Sequence, residues 1–219
     1  MSILSKVVGF ISEPEEKSGR AAVFAVMSPP EERADEKKIV RELFELGLSE
    51  FHLRRTHWSA ARVRGWLESF PPELRSRIIL HQFPLNIAKY GAGGFYLGRS
   101  ENLPAPKAAL GKVVALCDSF RAMLKAETVC DEIFLGPVFP PKKYDVTIPR
   151  RTLEEFAAGI AYRRTHGGKM SVPILAYGGI SADNVASCRK AGFDGFVSVA
   201  AVWTADSPTK AFKKLLKKW

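Results

Sequence analysis

The fold is decided by residues 172–201, VPILAYGGISADNVASCRKAGFDGFVSVAA. An apolar run (172–177) meets a pair of glycines, a helix-like segment follows over 182–190, and a second apolar run begins at Gly195. Near-continuous apolar runs are typical of parallel strands that are buried on both faces. An alternation of strands and helices along the chain implies a parallel sheet. This stretch therefore predicts a β–α–β unit.

The same alternation extends back to residue 22. Besides the two strands at 172–177 and 195–199, the apolar runs predict six strands, at 22–27, 50–53, 77–81, 94–97, 112–117 and 132–135. Apolar spacing near 3.6 residues predicts helices over 34–46, 59–69, 85–90, 119–126, 153–164 and 182–190, and a last helix at the end of the chain. Eight such units favour closure into a (β/α)8 TIM barrel, an α/β fold with eight parallel strands. We expect residues 21–219 to form this single domain, with residues 1–20 as an N-terminal extension.

Composition excludes several other classes of protein. Hydrophobic residues make up 46% of the chain and charged residues 26%, which is the balance of a globular protein and not of a disordered one. No apolar run approaches the roughly 20 residues that a membrane span needs. The three cysteines, Cys117, Cys130 and Cys188, are widely separated and form no CxxC pair. This pattern indicates neither a disulfide framework nor a zinc finger, and it is typical of a cytoplasmic protein.

The net charge of +10 favours anionic partners. Part of the excess is in the last segment, where lysines alternate with an apolar stripe, so we interpret these lysines as the solvent face of an amphipathic helix. No basic and aromatic motif of a nucleic-acid-binding module accompanies them. Small phosphorylated substrates are therefore preferred over nucleic acid or a membrane as partners, and a homo-oligomer stays open.

In a TIM barrel, the active site lies at the carboxyl ends of the strands. Gly178 and Gly179 follow the seventh strand and precede a helix, so their backbone N–H groups are placed to approach an anion. Ser198 ends the eighth strand, and small alanines follow it. Loops after strands 7 and 8 are the usual phosphate site of this fold, although glycines also simply form tight turns. We predict a phosphate-binding site here.

A second group of charges lies at the same predicted end. Arg54 and Arg55 follow the second strand, and Lys142 and Lys143 follow the sixth. Because alternate residues of a strand point to opposite sides, only one of the two arginines should face the barrel mouth. Together the four cations favour a second phosphate or a diphosphate.

Five segments, in this order and spacing, resemble the thiamine phosphate synthase and thiazole tautomerase superfamily of (β/α)8 barrels. They are ELGLSEFHLRR (45–55), RIILHQFPLNIAKYGAGGFYLG (77–98), DEIFLGPVFPPKK (131–143), VPILAYGGISADNV (172–185) and AGFDGFVSVAAVW (191–203). The resemblance runs from about Val23 to Trp203, and FHLRR is similar to the shorter, divergent branch.

The resemblance implies a transferase of thiamine biosynthesis that joins hydroxymethylpyrimidine diphosphate to thiazole phosphate and releases pyrophosphate, with Mg²⁺ as cofactor. Carried over by motif, Gly178, Gly179, Ile180 and Ser198 would hold the thiazole phosphate. Arg54 would hold the diphosphate, with Arg55 as an electrostatic substitute for a family lysine. Lys142 or Lys143 would stand for the family's lysine after strand 6.

This sequence departs from the family pattern at several positions. The family's Gln-x-Arg-x-Lys reads His52-Leu53-Arg54-Arg55-Thr56, and its Ser-x-His-Ser reads Leu116-Cys117-Asp118-Ser119. Gln82 stands for the first metal-binding aspartate and Glu101 for the second, which leaves Glu101 as the implied metal ligand. Asp118 stands where the tautomerase branch has a catalytic histidine.

These departures leave three hypotheses. The first is a thiamine phosphate synthase with a rearranged diphosphate site, in which Arg54, Asp118, Lys142 and Lys143 are the catalytic candidates. The second is a metal-independent thiazole-phosphate tautomerase or isomerase that uses Asp118. The third is a non-catalytic binder of phosphorylated metabolites. We favour the first because the resemblance covers most of the chain.

Overall fold

Eight parallel strands form a closed barrel in the structure, which is a computed structural model that describes residues 21–99, 102–140, 149–166 and 172–219. Each strand is hydrogen-bonded to its two neighbours in sequence order, and β8 closes the ring against β1. The strands are β1 (Val23–Met27), β2 (Glu50–Leu53), β3 (Ile78–Leu80), β4 (Gly94–Gly98), β5 (Lys112–Cys117), β6 (Glu132–Leu135), β7 (Ile174–Tyr177) and β8 (Gly195–Ser198). The predicted TIM barrel is confirmed.

Helices of very different length cover the outside of the barrel. Those of the described residues are α1 (Glu36–Glu45), α2 (Ala60–Glu68), α3 (Pro72–Arg75), α4 (Ile87–Tyr90), α5 (Lys107–Leu110), α6 (Phe120–Ala126), α7 (Leu153–Thr165), α8 (Val185–Lys190), α9 (Ala200–Trp203) and α10 (Pro208–Lys218). None of them is long and apolar enough to cross a membrane.

The strand alternation divides the buried side chains into two groups. One small cluster fills the barrel interior, with members such as Ala25, Ile79, Val114 and Phe134. A much larger cluster lies between the strands and the helices, where alternate strand residues such as Val26 contact it. Parallel strands covered on both faces in this way need apolar side chains at nearly every position.

The last helix closes the seam between the first strand and the last. Phe212 and Leu215 of α10 are fully buried, while the lysines at 210, 213, 214, 217 and 218 are exposed. Phe196 of β8 packs against Phe24 of β1, and the Trp219 ring contacts both of them. The lysines therefore form the solvent face of an amphipathic helix, as predicted.

The predicted bounds of β2, β5 and β6 agree with the structure residue for residue, whereas α3, α5 and α9 were not predicted. These three helices have four residues each, which is too short for a periodic pattern to appear in the sequence. The proposed N-terminal extension, residues 1–20, lies outside the described residues, and its separation from the barrel domain stays a prediction.

Candidate active site

A cavity of about 860 Å³ opens at the carboxyl ends of the strands. Residues from the ends of most strands line it, including Arg54, Arg99, His81, Tyr96, Tyr177, Gly178, Gly179, Ile180, Ala200 and Ala201. Both arginines belong to loops that follow even-numbered strands, β2 and β4, while the glycines and alanines follow β7 and β8. The cavity therefore has cationic side chains in one part of its wall and exposed backbone in another.

Arg54 is the cation that follows β2, and its side chain is exposed at the cavity. The buried hydroxyl of Ser28 fixes its backbone, because Ser28 Oγ accepts from Arg54 N at 2.9 Å and donates to Arg54 O at 3.1 Å. None of the described carboxylates forms an ion pair with Arg54. The backbone of Arg54 is therefore held in place, and its guanidinium is available to an anionic ligand.

Arg55, the next residue, has a different position. Its side chain is fully buried, forms an ion pair with Glu36 of α1 and donates to Ser28 Oγ at 3.1 Å. Burial raises the pKa of Glu36, and the Arg55 charge opposes that rise. Arg55 therefore anchors α1 to the end of β2 and is not among the residues that line the cavity, so the structure gives no support to its assignment as a phosphate ligand.

The loop after β7 requires both of its glycines. Gly178 and Gly179 have φ values of 89° and 65°, in the left-handed region that side chains disfavour. A Cβ on Gly179 would come within 2.5 Å of Phe139 O, and one on Gly178 within 2.6 Å of Pro137 Cβ. Asn184 holds the loop by donating to Gly179 O at 2.9 Å and by accepting from Ser181 N.

The end of β8 contributes backbone and not the predicted hydroxyl. Ala200 and Ala201, in the first turn of α9, line the cavity beside Ile180, and N–H groups of a first helical turn have no partner within the helix. Ser198 is buried and is not among the lining residues. Its neighbours Val197 and Val199 face the barrel interior, so strand alternation turns Ser198 outward.

Asp118 lies beside the cavity, paired with Arg99. Arg99 Nη1 donates to Asp118 Oδ2 at 2.7 Å, and Arg151 Nε donates to the Asp118 carbonyl at 3.2 Å. The neighbouring Cys117 is buried, and burial raises the pKa of its thiol to about 12. Cys117 is therefore protonated at neutral pH and is no nucleophile, while the carboxylate of Asp118 serves first to hold Arg99.

Aromatic rings, including those of His81 and Tyr96, line part of the cavity. The His81 ring stacks on Tyr96 with centroids 4.1 Å apart, and His81 Nε2 lies 3.3 Å from Nδ1 of the buried His52. Burial holds the pKa of His81 well below its usual range, and the charges of His52 and Arg54 add to this effect. His81 is therefore neutral at physiological pH and offers the cavity a hydrogen-bonding ring without charge.

The residues described at the cavity do not fit a Mg²⁺ site. Mg²⁺ prefers several oxygen ligands in octahedral geometry. Gln82 is neutral and uses its amide to donate to Arg55 O at 2.5 Å, and Asp118 is neutralised by Arg99. Glu101, the implied ligand, lies outside the described residues, as do Lys142 and Lys143.

The residues that follow the predicted strands in the sequence include Arg99 but not Tyr96 or Tyr177, and all three line the cavity. Tyr96 and Tyr177 belong to apolar runs whose pattern predicts buried strand positions. It is the register of the closed barrel that points their side chains into the cavity. The one available signal was the inward alternation of β4 and β7, since residues two apart on a strand share a face.

Comparisons with known proteins agree with this architecture. Residues 23–202 match the family described as "Thiamine monophosphate synthase". A thiamine-phosphate synthase of Bacillus cereus (strain 03BB102) is 26% identical over 215 residues, covering 93% of this chain and 94% of that protein. The crystal structure of thiamine phosphate pyrophosphorylase from Bacteroides thetaiotaomicron superposes with a TM-score of 0.70 at 24% identity, over 90% of this chain and 96% of the other. A Pyrococcus furiosus thiamine phosphate pyrophosphorylase gives a TM-score of 0.73 at 22% identity, over 90% and 95% of the two chains.

Proposed function

The chain belongs to the thiamine monophosphate synthase family, and from this premise we propose that it is a transferase of thiamine biosynthesis. In the proposed reaction, hydroxymethylpyrimidine diphosphate and thiazole phosphate combine to give thiamine phosphate and pyrophosphate. Both substrates are small and phosphorylated, and with three free, buried cysteines a cytoplasmic location is part of the same proposal.

One observation carries this proposal: a single cavity of about 860 Å³ has two separate regions suited to anions. Gly178, Gly179 and the first turn of α9 present backbone to one region, and Arg54 presents to the other a guanidinium that none of the described carboxylates pairs with. A monophosphate fits N–H donors of this kind, while a diphosphate needs a full compensating charge. The two regions thus match the two proposed substrates.

The proposed reaction requires that the site stabilise the departing diphosphate. The bond between the pyrimidine methylene carbon and the diphosphate oxygen breaks, and its electron pair leaves with the diphosphate. The lone pair of the thiazole nitrogen then forms the new carbon–nitrogen bond. Arg54 would stabilise the charge that develops on the leaving oxygen. Holding the thiazole phosphate at the glycine loop would fix the nitrogen for attack, which lowers the entropic part of the barrier.

The three other predicted catalytic residues have less support. Asp118 would act indirectly, by holding Arg99 at the cavity rim. Lys142 and Lys143 stay proposed as further cations for the diphosphate on the strength of the resemblance alone. Ser198 and Arg55 are not proposed to contact the substrates, since Ser198 does not line the cavity and Arg55 forms an ion pair with Glu36.

The test is a coupling assay with purified protein, in which both substrates are supplied with and without Mg²⁺ and thiamine phosphate is measured by chromatography. Thermal-shift measurements with each substrate alone accompany it. We expect product above the level of a protein-free control and a rise in melting temperature with each substrate, because ligands that bind the native state stabilise it. Stabilisation by thiazole phosphate without product under either condition would contradict the synthase and leave a binder of phosphorylated metabolites.

A further inference from the structure

The amino-terminal end of the barrel interior contains an unusual polar cluster. Glu50 and Glu132 are the first residues of β2 and β6, which lie on opposite sides of the eight-stranded ring. His52 follows two residues after Glu50 and therefore shares its inward face. All three residues are buried, and one potential ligand atom of each lies within 4.8 Å of the others. This cluster is separate from the substrate cavity, which none of the three lines.

Each of the three residues directs an unsatisfied atom into the cluster. Within the described part of the chain, Glu50 Oε2, His52 Nε2 and Glu132 Oε1 are buried without a hydrogen-bond partner. His52 and Glu132 have no exposed surface at all, and His52 Nε2 lies 3.7 Å from Glu50 Oε2. A buried polar atom without a partner costs free energy. Three neighbouring residues that each have one, and that each place a ligand atom within 4.8 Å of the others, are the donor set of a cation.

Lys112 orients the two carboxylates. Its ammonium group, at the first position of β5, forms ion pairs with Glu50 Oε1 and with Glu132 Oε2. Gly94 on the paired strand β4 leaves room for it, since a Cβ there would come within 2.8 Å of Lys112 Cβ. Each carboxylate therefore keeps its other oxygen for a further ligand. Two carboxylates and one ammonium leave a net negative charge, which attracts a cation.

His52 is arranged as metal-ligating histidines are. Such a histidine coordinates through one ring nitrogen and donates a hydrogen bond from the other. If His52 Nδ1 carries the proton and donates to His81 Nε2 at 3.3 Å, then Nε2 presents its lone pair to the two carboxylates.

We propose that Glu50, His52 and Glu132 bind one divalent transition-metal ion inside the amino-terminal end of the barrel. One nitrogen and two carboxylate oxygens form a donor set that suits Zn²⁺ and its neighbours better than Mg²⁺. Ligands at about 2.0–2.2 Å from a common ion are at most about 4.4 Å apart, so binding draws the three atoms slightly inward. The side chain of Lys112 is 29% exposed, so the cluster borders solvent at this lysine.

Metal content tests the proposal without any assay of activity. Tag-free protein is treated with chelator, equilibrated with Zn²⁺ alone, dialysed and analysed by mass spectrometry of the metal. The same is done with Mg²⁺. The expected result is one equivalent of Zn²⁺ per chain, no retained Mg²⁺, and a rise in melting temperature with Zn²⁺. Co²⁺ in place of Zn²⁺ should give visible absorption bands of a nitrogen- and oxygen-ligated ion.

Two variants remove single ligands with little change of shape, His52→Gln and Glu132→Gln, and His57→Gln is the matched control. His57 is exposed and also lies near a carboxylate, with its Nε2 3.6 Å from Glu32. Both ligand variants should lose the equivalent of Zn²⁺ and the Co²⁺ bands while keeping the circular dichroism of the wild type, and the control should keep everything. The proposal is overturned if wild-type protein retains no more Zn²⁺ than His52→Gln, or if His57→Gln alone loses it.

Discussion

Two adjacent arginines have different roles because their side chains point in different directions. Arg54 and Arg55 share the hydroxyl of Ser28, yet Arg54 reaches the cavity and Arg55 is buried against Glu36. The alternation of a strand predicts that only one of them faces the mouth, and the structure confirms this. Which one it is depends on the position of α1, since Glu36 of that helix receives Arg55.

Arg54→Ala is the residue-scale test of the proposed catalysis. Loss of one electrostatic group that stabilises developing charge reduces kcat by about 10²–10³, and we expect an effect of this size in the coupling assay. The matched control is Arg64→Ala, on the exposed face of α2, where the arginine pairs with Glu68. Equal rates for Arg54→Ala and wild type would remove Arg54 from the mechanism.

Gly179→Ala tests the glycine loop. The positive φ and the close approach of Phe139 O predict a loss of about 1–3 kcal/mol in the free energy of unfolding. They also predict weaker binding of thiazole phosphate. Gly65→Ala is the control, since Gly65 lies within α2 and a Cβ there meets nothing within 4 Å. It should stabilise by about 0.5–1 kcal/mol. Urea unfolding that shows the same change for both variants would contradict the assignment.

At the scale of elements, α7 has the most complete start signal. Thr152 Oγ1 accepts from Glu155 N at 3.2 Å, and the Glu155 carboxylate accepts from Thr152 N at 2.8 Å, which together form a capping box. We expect Thr152→Ala to lower the free energy of unfolding by about 1 kcal/mol. Thr165→Ala, at the other end of the same helix, should change it by less than about 0.5 kcal/mol. A reversed order in urea titrations would show that the box is not what stabilises α7.

The strands and helices that the sequence predicts well are those whose pattern lies within a short stretch of the chain. Strands β2, β5 and β6 are apolar runs whose ends the sequence marks, and α10 carries a clear apolar stripe. The cluster of Glu50, Lys112 and Glu132 was not predicted, because its members are separated by up to 82 positions and meet only through the register of the closed barrel. The local sign of it in the sequence was a charged first residue on each of the three strands, with His52 two residues further on in β2.

Barrel closure is a property of the whole molecule, and α10 stabilises it. Phe212 is fully buried against Phe196 of the last strand, so we expect Phe212→Ala to cost about 3–5 kcal/mol. Leu85→Ala provides the contrast, because Leu85 is 77% exposed and its loss should change stability by less than about 0.5 kcal/mol. Thermal and urea unfolding measure both. An unchanged transition for Phe212→Ala would mean that α10 is dispensable for the barrel.

The two ends of the barrel have different chemistry. The carboxyl end has the wide cavity with backbone donors and arginines, and the amino end has the compact cluster of carboxylates around Lys112. The hydrogen bond between His52 and His81 joins them through the barrel axis. Phosphorylated substrates are thus expected at the carboxyl end, where arginines, the glycine loop and the first turn of α9 line the cavity.

The most direct measurement is a crystal structure of the wild-type protein grown with thiazole phosphate and pyrophosphate. The predicted result is density for the monophosphate at Gly178, Gly179 and the first turn of α9, together with density for pyrophosphate against the Arg54 guanidinium. Both ligands should occupy the same cavity. Density for the two anions outside this cavity, for example at the lysine face of α10, would contradict the proposed site and the two-substrate reaction derived from it.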